Sequence, residues 1–180
     1  MRASATRCAS SRRRHAIPVR DAGSTSAIIR LYDALDERRC TLGLSWQQLA
    51  HEIGHVSAST LSGMPSRRVI EADGALQMLR WLGRSAESLL TPPRDDGPPL
   101  PPVRRGQILR VDTRSLHAAL EAQRRERGLT WVQVATAAGI PSPATLTRLS
   151  KGGRTTFPDV MRVLGWLNRS LSSAVRPFDA

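Results

Sequence analysis

Apolar side chains recur every three or four positions in several short segments of the chain, which predicts amphipathic helices. The first such segment, residues 28–39, carries its apolar face on Ile28, Leu31, Tyr32 and Leu35. A matching segment further along carries its face on Leu116, Ala119 and Leu120. Candidate N-caps and terminating glycines bracket both helices: Ser26 and Gly43 for the first, and Asp112 or Thr113 with Gly128 for the second.

Two shorter helices are predicted to follow each long one. The second helix begins at a small polar cap and ends at a glycine that tolerates positive φ: Ser45 and Gly54, or Thr130 and Gly139. Its apolar positions are Leu49, Ala50 and Ile53, or Val134, Ala135 and Ala138. The third helix is capped by Ser57 or Ser142, and Pro143 suits a first helical position, where its missing amide is not needed. Its inward residues are Leu61 and Met64, or Leu146 and Leu149.

A fourth helix and a short fifth turn complete each series. The apolar positions of the fourth helix are Leu76, Leu79 and Leu82, or Val160, Val163, Leu164 and Leu167. The fifth turn starts near Ser85 or Ser170. No segment alternates apolar and polar residues over a sustained length, so we expect an all-α protein without a β-sheet.

The two series are copies of one unit. Moving the chain by 85 positions places residues 31–85 on residues 116–170 without a gap. A repeat of this size predicts two small tandem domains of four to five helices each. The predicted boundaries are a basic arm expected to be disordered, the first domain, a Pro-rich linker, the second domain and a tail: residues 1–25, 26–90, 91–111, 112–174 and 175–180.

Six prolines fall within residues 92–102, between the copies. Such a segment favours the extended polyproline conformation, which rises about 3.1 Å per residue. Residues 92–107 therefore reach up to roughly 50 Å, more than the ~34 Å of one DNA turn. The linker is therefore long enough for the two copies to occupy successive grooves of one duplex.

The formal net charge of +12 is unevenly distributed. Residues 1–30 hold seven arginines against one aspartate, and residues 116–180 hold nine basic against four acidic side chains. Residues 31–90 hold six basic and seven acidic side chains. A positive field attracts polyanions such as nucleic acid, although basic residues also serve simply to solvate a surface.

Other sequence features bear on location. Cys8 and Cys40 share no ligand spacing, and we expect both to be reduced, as in a cytosolic protein. No apolar run approaches the roughly 20 residues that cross a bilayer. We therefore expect a cytoplasmic, nucleoid-associated protein without a membrane partner.

Two short helices joined by a glycine turn, with small polar residues opening the second, have the geometry that presents a helix to a DNA major groove. The segments that carry it are GLSWQQLAHEIGHVSASTLSGM and GLTWVQVATAAGIPSPATLTRLSKGG, residues 43–64 and 128–153. They resemble the helix-turn-helix of phage-repressor-like (Cro-like, Xre-type) transcriptional regulators, and the resemblance covers roughly residues 28–90 and 112–172. It implies two tandem lambda-repressor-like bundles in which the third helix enters the major groove.

From the pattern and the resemblance together we expect sequence-specific binding of double-stranded DNA and transcriptional regulation, with no catalysis, cofactor or metal. The expected DNA contacts in the first copy are Trp46, Ser57, Ser59, Thr60, Ser62, Arg67 and Arg68. Those in the second copy are Trp131, Ser142, Ala144, Thr145, Thr147, Arg148, Lys151 and Arg154. Either a homodimer or intramolecular pairing of the two domains is compatible with this reading.

Two of these expectations have alternatives. Trp46 and Trp131 occupy the slot where the family usually has a phosphate-contacting Gln, and packing against their own domain is the other role for them. Trp81 and Trp166 are expected in the core. The second copy is expected to dominate DNA binding, because Arg148 can pair with guanine whereas the first copy has Gly63 at that position. For the first copy three roles are open: weak DNA contacts, a dimer surface or packing alone.

Residues 51–55 spell His-Glu-Ile-Gly-His, the HExxH pattern of zinc peptidases. The second copy replaces this stretch while keeping its surroundings, and Gly54 stands where the helix is expected to end. A zinc hydrolase is therefore a lesser alternative. A protein-interaction module on the same fold, with little DNA binding, is the main alternative to a DNA-binding regulator.

Overall fold

The computed structural model describes residues 22–90 and 97–179, with their side chains from residue 27 onward. These residues form eight α-helices: α1 (Ala22–Thr41), α2 (Trp46–Ile53), α3 (Ala58–Ser62), α4 (Ala72–Leu82), α5 (Thr113–Glu126), α6 (Trp131–Ala138), α7 (Pro143–Arg148) and α8 (Phe157–Leu167). They also form two β-strands, β1 (Gln107–Val111) and β2 (Val175–Asp179). Short 3₁₀ turns follow the third and fourth helices of each copy: Met64–Ser66, Ala86–Leu89, Leu149–Lys151 and Leu171–Ala174.

The helical elements occur in the same order in both copies. In each copy the first helix packs against the fourth, and the second packs against the third and the fourth. The prediction of a mostly helical chain is confirmed. None of the described helices is long and apolar enough to cross a membrane.

Local capping explains most of the helix boundaries. Ser45 and Thr130 each form a capping box with the glutamine three residues later, so two main-chain amides at each helix start are satisfied. Asp112, rather than Thr113, caps α5, and its carboxylate accepts the Ser115 N–H at 3.1 Å. The predicted start of the first helix is wrong, because α1 begins at Ala22 and Ser26 lies inside it. Helix α1 thus begins within the segment assigned to the arm.

The expectation of no β-sheet is wrong. Strands β1 and β2 pair antiparallel, with Leu109 opposite Pro177, in the segments assigned to the linker and the tail. Strand β1 is held by long-range contacts to α4: Gln77 Nε2 donates to the Leu109 carbonyl at 2.8 Å, and the Val111 N–H donates to Asp73 Oδ1 at 3.0 Å. Because consecutive residues Ile108 and Leu109 are both buried, the strand shows no period-two alternation that would reveal it.

The two copies pack directly against each other and are not held apart at the full reach of the Pro-rich segment. Their buried apolar residues form one continuous cluster, and α4 contacts α8. The Ala72 N–H donates to the Thr155 carbonyl at 2.9 Å across the contact. Docking is favoured because small helical units bury too little apolar surface alone.

Cys40 also departs from expectation. It is disulfide-bonded, so the expected free thiol at this position is wrong. The other cysteine of the chain, Cys8, lies outside the described residues.

Candidate nucleic-acid interface

Helices α2 and α3 pack against each other in a helix-turn-helix arrangement. Ser57 caps α3, and its Oγ accepts the Thr60 N–H at 3.1 Å. Leu61 is fully buried, which turns the other side of α3 outward. Ser59 and Ser62 are exposed and Thr60 is half-buried, so this face presents only short hydroxyl side chains.

Helices α6 and α7 form the same arrangement in the second copy. Ser142 caps α7, with Pro143 at its first position as predicted. Leu146 is buried on the inner side. On the outer side, Ala144, Thr147 and Arg148 are exposed and Thr145 is half-buried. Unlike α3, this helix therefore carries a charged side chain at its outward C-terminal end.

The turns between the helices differ in the two copies. In the second copy Gly139 is left-handed and the next residue, Ile140, is buried. In the first copy the residue after Gly54 is His55, which is exposed and has a φ of 56°, uncommon for a residue with a side chain. Val56 packs against the core one position later. The positive φ at His55 therefore leaves its imidazole in water, and the apolar side chain of Val56 packs against the core in its place.

The ends of the third helices differ for a steric reason. Arg148 is the last residue of α7, whereas Gly63 follows α3 with a φ of −85°. A Cβ at Gly63 would lie 2.9 Å from the main-chain oxygen of Ser59, closer than such atoms approach in real structures. The first copy cannot accept an arginine there unless its backbone shifts.

Basic side chains surround the loop after each third helix. Arg67 and Arg68 are exposed in the first copy, as are Lys151 and Arg154 in the second. Arg154 Nε lies 3.1 Å from Glu71 Oε1 of the first copy, and both side chains are well exposed, so this ion pair contributes little stability. It does place an acidic group beside one of the predicted phosphate contacts.

Sequence reasoning missed Arg114, which belongs to the same surface. Its exposed side chain extends from the start of α5 to the loop, where Nε would lie 2.8 Å from a Cβ placed on Gly152. Gly152 has a φ of 75°, so a glycine at this position allows both the left-handed backbone and the close approach of the Arg114 side chain. In the sequence Arg114 is 34 positions before Arg148 and 38 before Gly152, so no local pattern indicates that Arg114 reaches this loop.

Trp46 and Trp131 are half-buried first residues of α2 and α6, and both pack on the preceding long helix. The Trp46 ring stacks on Tyr32 at 5.5 Å between centroids, and Arg39 lies 4.5 Å from its centroid. The Trp131 ring stacks on His117 at 5.2 Å, with Arg124 also at 5.2 Å. These contacts favour the packing role over a phosphate contact.

The arginine beside each tryptophan joins the long helix to the start of the second. Arg124 donates to the Leu129 carbonyl at 2.8 Å and to both carboxylate oxygens of Glu121. The hydrogen bonds from Arg124 to Glu121, a further one from Arg125 and the charges of both arginines lower the pKa of Glu121 to about 2. The equivalent bonds in the first copy join Arg39 to Asp36 and Leu44. The 85-residue offset relates Arg39, Asp36 and Leu44 to Arg124, Glu121 and Leu129. This correspondence is the sequence signal that could have revealed both networks of hydrogen bonds.

Trp81 and Trp166 were expected in the core, but both are only half-buried. Trp81 Nε1 donates to Glu52 Oε2 at 2.9 Å, and the Arg38 guanidinium lies 4.5 Å from its ring. Arg127 lies 5.0 Å from the Trp166 ring in the same way. Both tryptophans remain partly exposed because the polar N–H edge of an indole and the arginine on its face are favourable at the surface.

The HExxH residues do not share one helix. Helix α2 ends at Ile53, so His51 is helical whereas His55 lies in the left-handed turn conformation beyond Gly54. Glu52 accepts the indole hydrogen bond from Trp81. Among the described residues no three His, Cys, Asp or Glu side chains are grouped so that they could hold a metal ion.

Searches of known protein families, of characterised proteins and of solved structures found no match to this chain.

Proposed function

We propose that the protein binds double-stranded DNA in a sequence-specific manner through α3 and α7 and regulates transcription without catalysing a reaction. The observation that supports this most is the outer side of α7. Its exposed residues are small until Arg148, and Lys151 follows three positions later. A major groove about 12 Å wide admits a helix with short side chains, an arginine can pair bidentately with guanine, and a lysine can neutralise phosphate.

The second copy supplies most of the affinity in this proposal. The loop after α7 carries Lys151, and Arg114 extends to the neighbouring Gly152, so two basic side chains flank the end of α7 besides Arg148. A good bidentate base contact discriminates bases by about 1 to 3 kcal/mol. The first copy lacks that contact at Gly63, so it contributes through the hydroxyl groups of α3 and through Arg67 and Arg68 in the loop that follows.

A protein-interaction module is the competing function, and it would need an apolar surface on the third helices. The large apolar side chains that are well exposed among the described residues are Leu42, Val69, Val132 and Phe178. None of them lies on α3 or α7. The polar third-helix faces therefore favour a nucleic acid as the partner, with the protein acting in the cytoplasm at the nucleoid.

The first experiment measures binding of the full-length chain to fluorescent duplex DNA by anisotropy over a range of salt concentrations. We expect log affinity to fall linearly with log salt, by about 0.9 per phosphate contact. The double variant Arg148→Ala/Lys151→Ala is expected to lose most binding. Arg169→Ala is the control, because this residue is also an exposed arginine but follows α8. Salt-insensitive binding, or equal affinity of the double variant and the wild type, would contradict the proposal.

The inequality of the copies must be tested in the intact chain, because the two copies share one core and β1, which leads into the second copy, rests on α4 of the first. Thr147→Ala/Arg148→Ala is compared with Ser59→Ala/Ser62→Ala, which changes two exposed residues of α3. We expect a larger loss of affinity from the α7 pair. Equal losses would show that the two copies contribute alike.

A further inference from the structure

The two copies meet through equivalent residues. Glu71 and Thr156, which the 85-residue offset places on each other, form an isolated antiparallel bridge between the copies. They precede α4 and α8, and these two helices are themselves equivalent and in contact. A contact made by the same patch of both partners is isologous, which is the hallmark of a two-fold axis.

The hydrogen bonds at this contact are exchanged by the same operation. The Ala72 N–H donates to the Thr155 carbonyl at 2.9 Å, and the Phe157 N–H donates to the Ile70 carbonyl at 2.9 Å. Moving each residue by 85 positions, forwards from the first copy and backwards from the second, converts one bond into the other. Ile70, Ala72 and Phe157 are all buried, so water does not compete for these bonds.

A two-fold axis between Glu71 and Thr156 determines how the third helices are related. The last residue of α3, Ser62, is nine positions before Glu71, and the last residue of α7, Arg148, is eight positions before Thr156. Applied to the whole copies, the same two-fold operation exchanges the two helices by a rotation of about 180° and places them on either side of the axis. Duplex DNA has the same symmetry in inverted repeats and lacks it in direct repeats.

We propose that one chain acts as its own two-fold dimer and binds, as a monomer, an imperfect inverted repeat with one half-site under each copy. This inference rests on the proposed DNA binding and specifies the class of target. The half-sites are unequal because α3 and α7 differ in sequence. The half-site under α7 contains the guanine that Arg148 contacts, and the half-site under α3 is the less constrained of the two.

Contacts that occur on one side only keep the pair in a single arrangement. Strand β1 is bound by Asp73 and Gln77 of α4, whose equivalents on α8 are Pro158 and Arg162. Because α8 has no equivalent of the Asp73 carboxylate or the Gln77 amide, the β1–β2 pair cannot dock on α8 in the symmetric position. A chain that pairs internally in this way has its two-fold contact already occupied and needs no second chain to complete the site.

The test selects duplexes from a library with a random region of about 21 base pairs, two turns of DNA, using the wild-type full chain. We expect the enriched motif to be an inverted pair of related half-sites. Three duplexes are then built from it with equal length and base composition: the inverted pair, the same halves as a direct repeat, and the stronger half-site alone. Mass photometry gives the number of chains per duplex.

We expect one chain per inverted duplex, bound about tenfold or more tightly than the direct repeat or the single half-site. A direct repeat, a lone half-site, or two chains on each inverted duplex would overturn the inference while leaving DNA binding intact. Failure to enrich any sequence, with no salt-sensitive binding, would instead overturn the proposed function and this inference with it. The comparison uses wild-type protein throughout, so its result does not depend on a variant that folds.

Discussion

The guanidinium of Arg124 donates hydrogen bonds of 2.8 Å to both carboxylate oxygens of Glu121, one turn away on α5. The same guanidinium bonds the Leu129 carbonyl and lies over Trp131, so one side chain connects the end of α5 to the start of α6. Arg39 makes the equivalent connection in the first copy. The start of the second helix is therefore positioned by an ion pair on the preceding helix, and this arrangement is open to experiment.

Glu121→Gln is expected to reduce the loss of stability in acid. The pKa of Glu121 is about 2 in the folded protein and has a reference value of 4.5. A lowered pKa gives stability that is complete above about pH 4.5 and disappears as the pH falls towards 2. Urea unfolding at several pH values should show a shallower decline for the variant across that window. Parallel curves for variant and wild type would contradict the ion-pair account.

Trp131→Phe is expected to leave DNA affinity within about twofold, because the ring packs on α5 and does not serve mainly as a donor to phosphate. Trp131→Ala, which removes a half-buried ring, should lower the free energy of unfolding by about 1 to 3 kcal/mol. Anisotropy and urea unfolding measure the two effects separately. A Phe variant with normal stability but much weaker DNA binding would assign the indole N–H to a phosphate.

Ala72→Pro is expected to weaken the contact between the copies. The preceding residue, Glu71, has a ψ of 139° that tolerates a following proline, and the first helical position needs no intrahelical amide. The substitution thus removes the bond to Thr155 and leaves α4 able to form. Removing this hydrogen bond between the copies should cost about 1 to 3 kcal/mol in urea unfolding.

Ala58→Pro is the matched control for this change. It also places proline at a first helical position, where the second copy already has Pro143. Because this position makes no bond between the copies, the free energy of unfolding should change by less than about 1 kcal/mol. Equal destabilisation by both prolines would show that the cross-copy bond has no special role.

Gly63→Ala is expected to destabilise the protein by about 1 to 3 kcal/mol, since its Cβ would crowd the Ser59 carbonyl. Gly165→Ala provides the opposite case within α8, because nothing lies within 4 Å of a Cβ there. That change should stabilise by roughly 0.5 to 1 kcal/mol through the lower entropy of the unfolded chain. Thermal unfolding of both variants distinguishes the steric effect from helix propensity, and a stable Gly63 variant would remove the steric reason for the inequality of the copies.

Arg148→Ala and Lys151→Ala are expected to affect DNA binding in different ways. The arginine variant should lose about 1 to 3 kcal/mol on its selected duplex and become tolerant of change at one base pair. The lysine variant should weaken binding to all sequences alike and reduce the salt slope by about 1. Affinities on the selected duplex and on single-base variants separate the two patterns. Unchanged base preference in the arginine variant would remove its assignment to a base contact.

Sequence alone was sufficient for features that depend on neighbours three or four positions apart. Apolar spacing located the helices, and Ser45, Thr130 and Pro143 marked helix starts because caps and first positions are satisfied within one turn. The 85-residue repeat also predicted that both copies would have the same element order. The exposed short side chains of α3 and α7 follow from the same local pattern, since Leu61 and Leu146 determine which side faces inward.

Only the tertiary structure decided how the copies are combined. Strand β1 pairs with β2, from residues 64 to 72 positions away, and is held by Gln77 and Asp73 from 32 and 38 positions away. The two-fold contact joins residues 85 positions apart. Neither leaves a periodic trace in the chain, because a long-range contact depends on three-dimensional complementarity and not on residue spacing. The same holds for Arg114 beside Gly152. The chain therefore specified its helices locally, whereas packing of the two small cores against each other specified their shared arrangement.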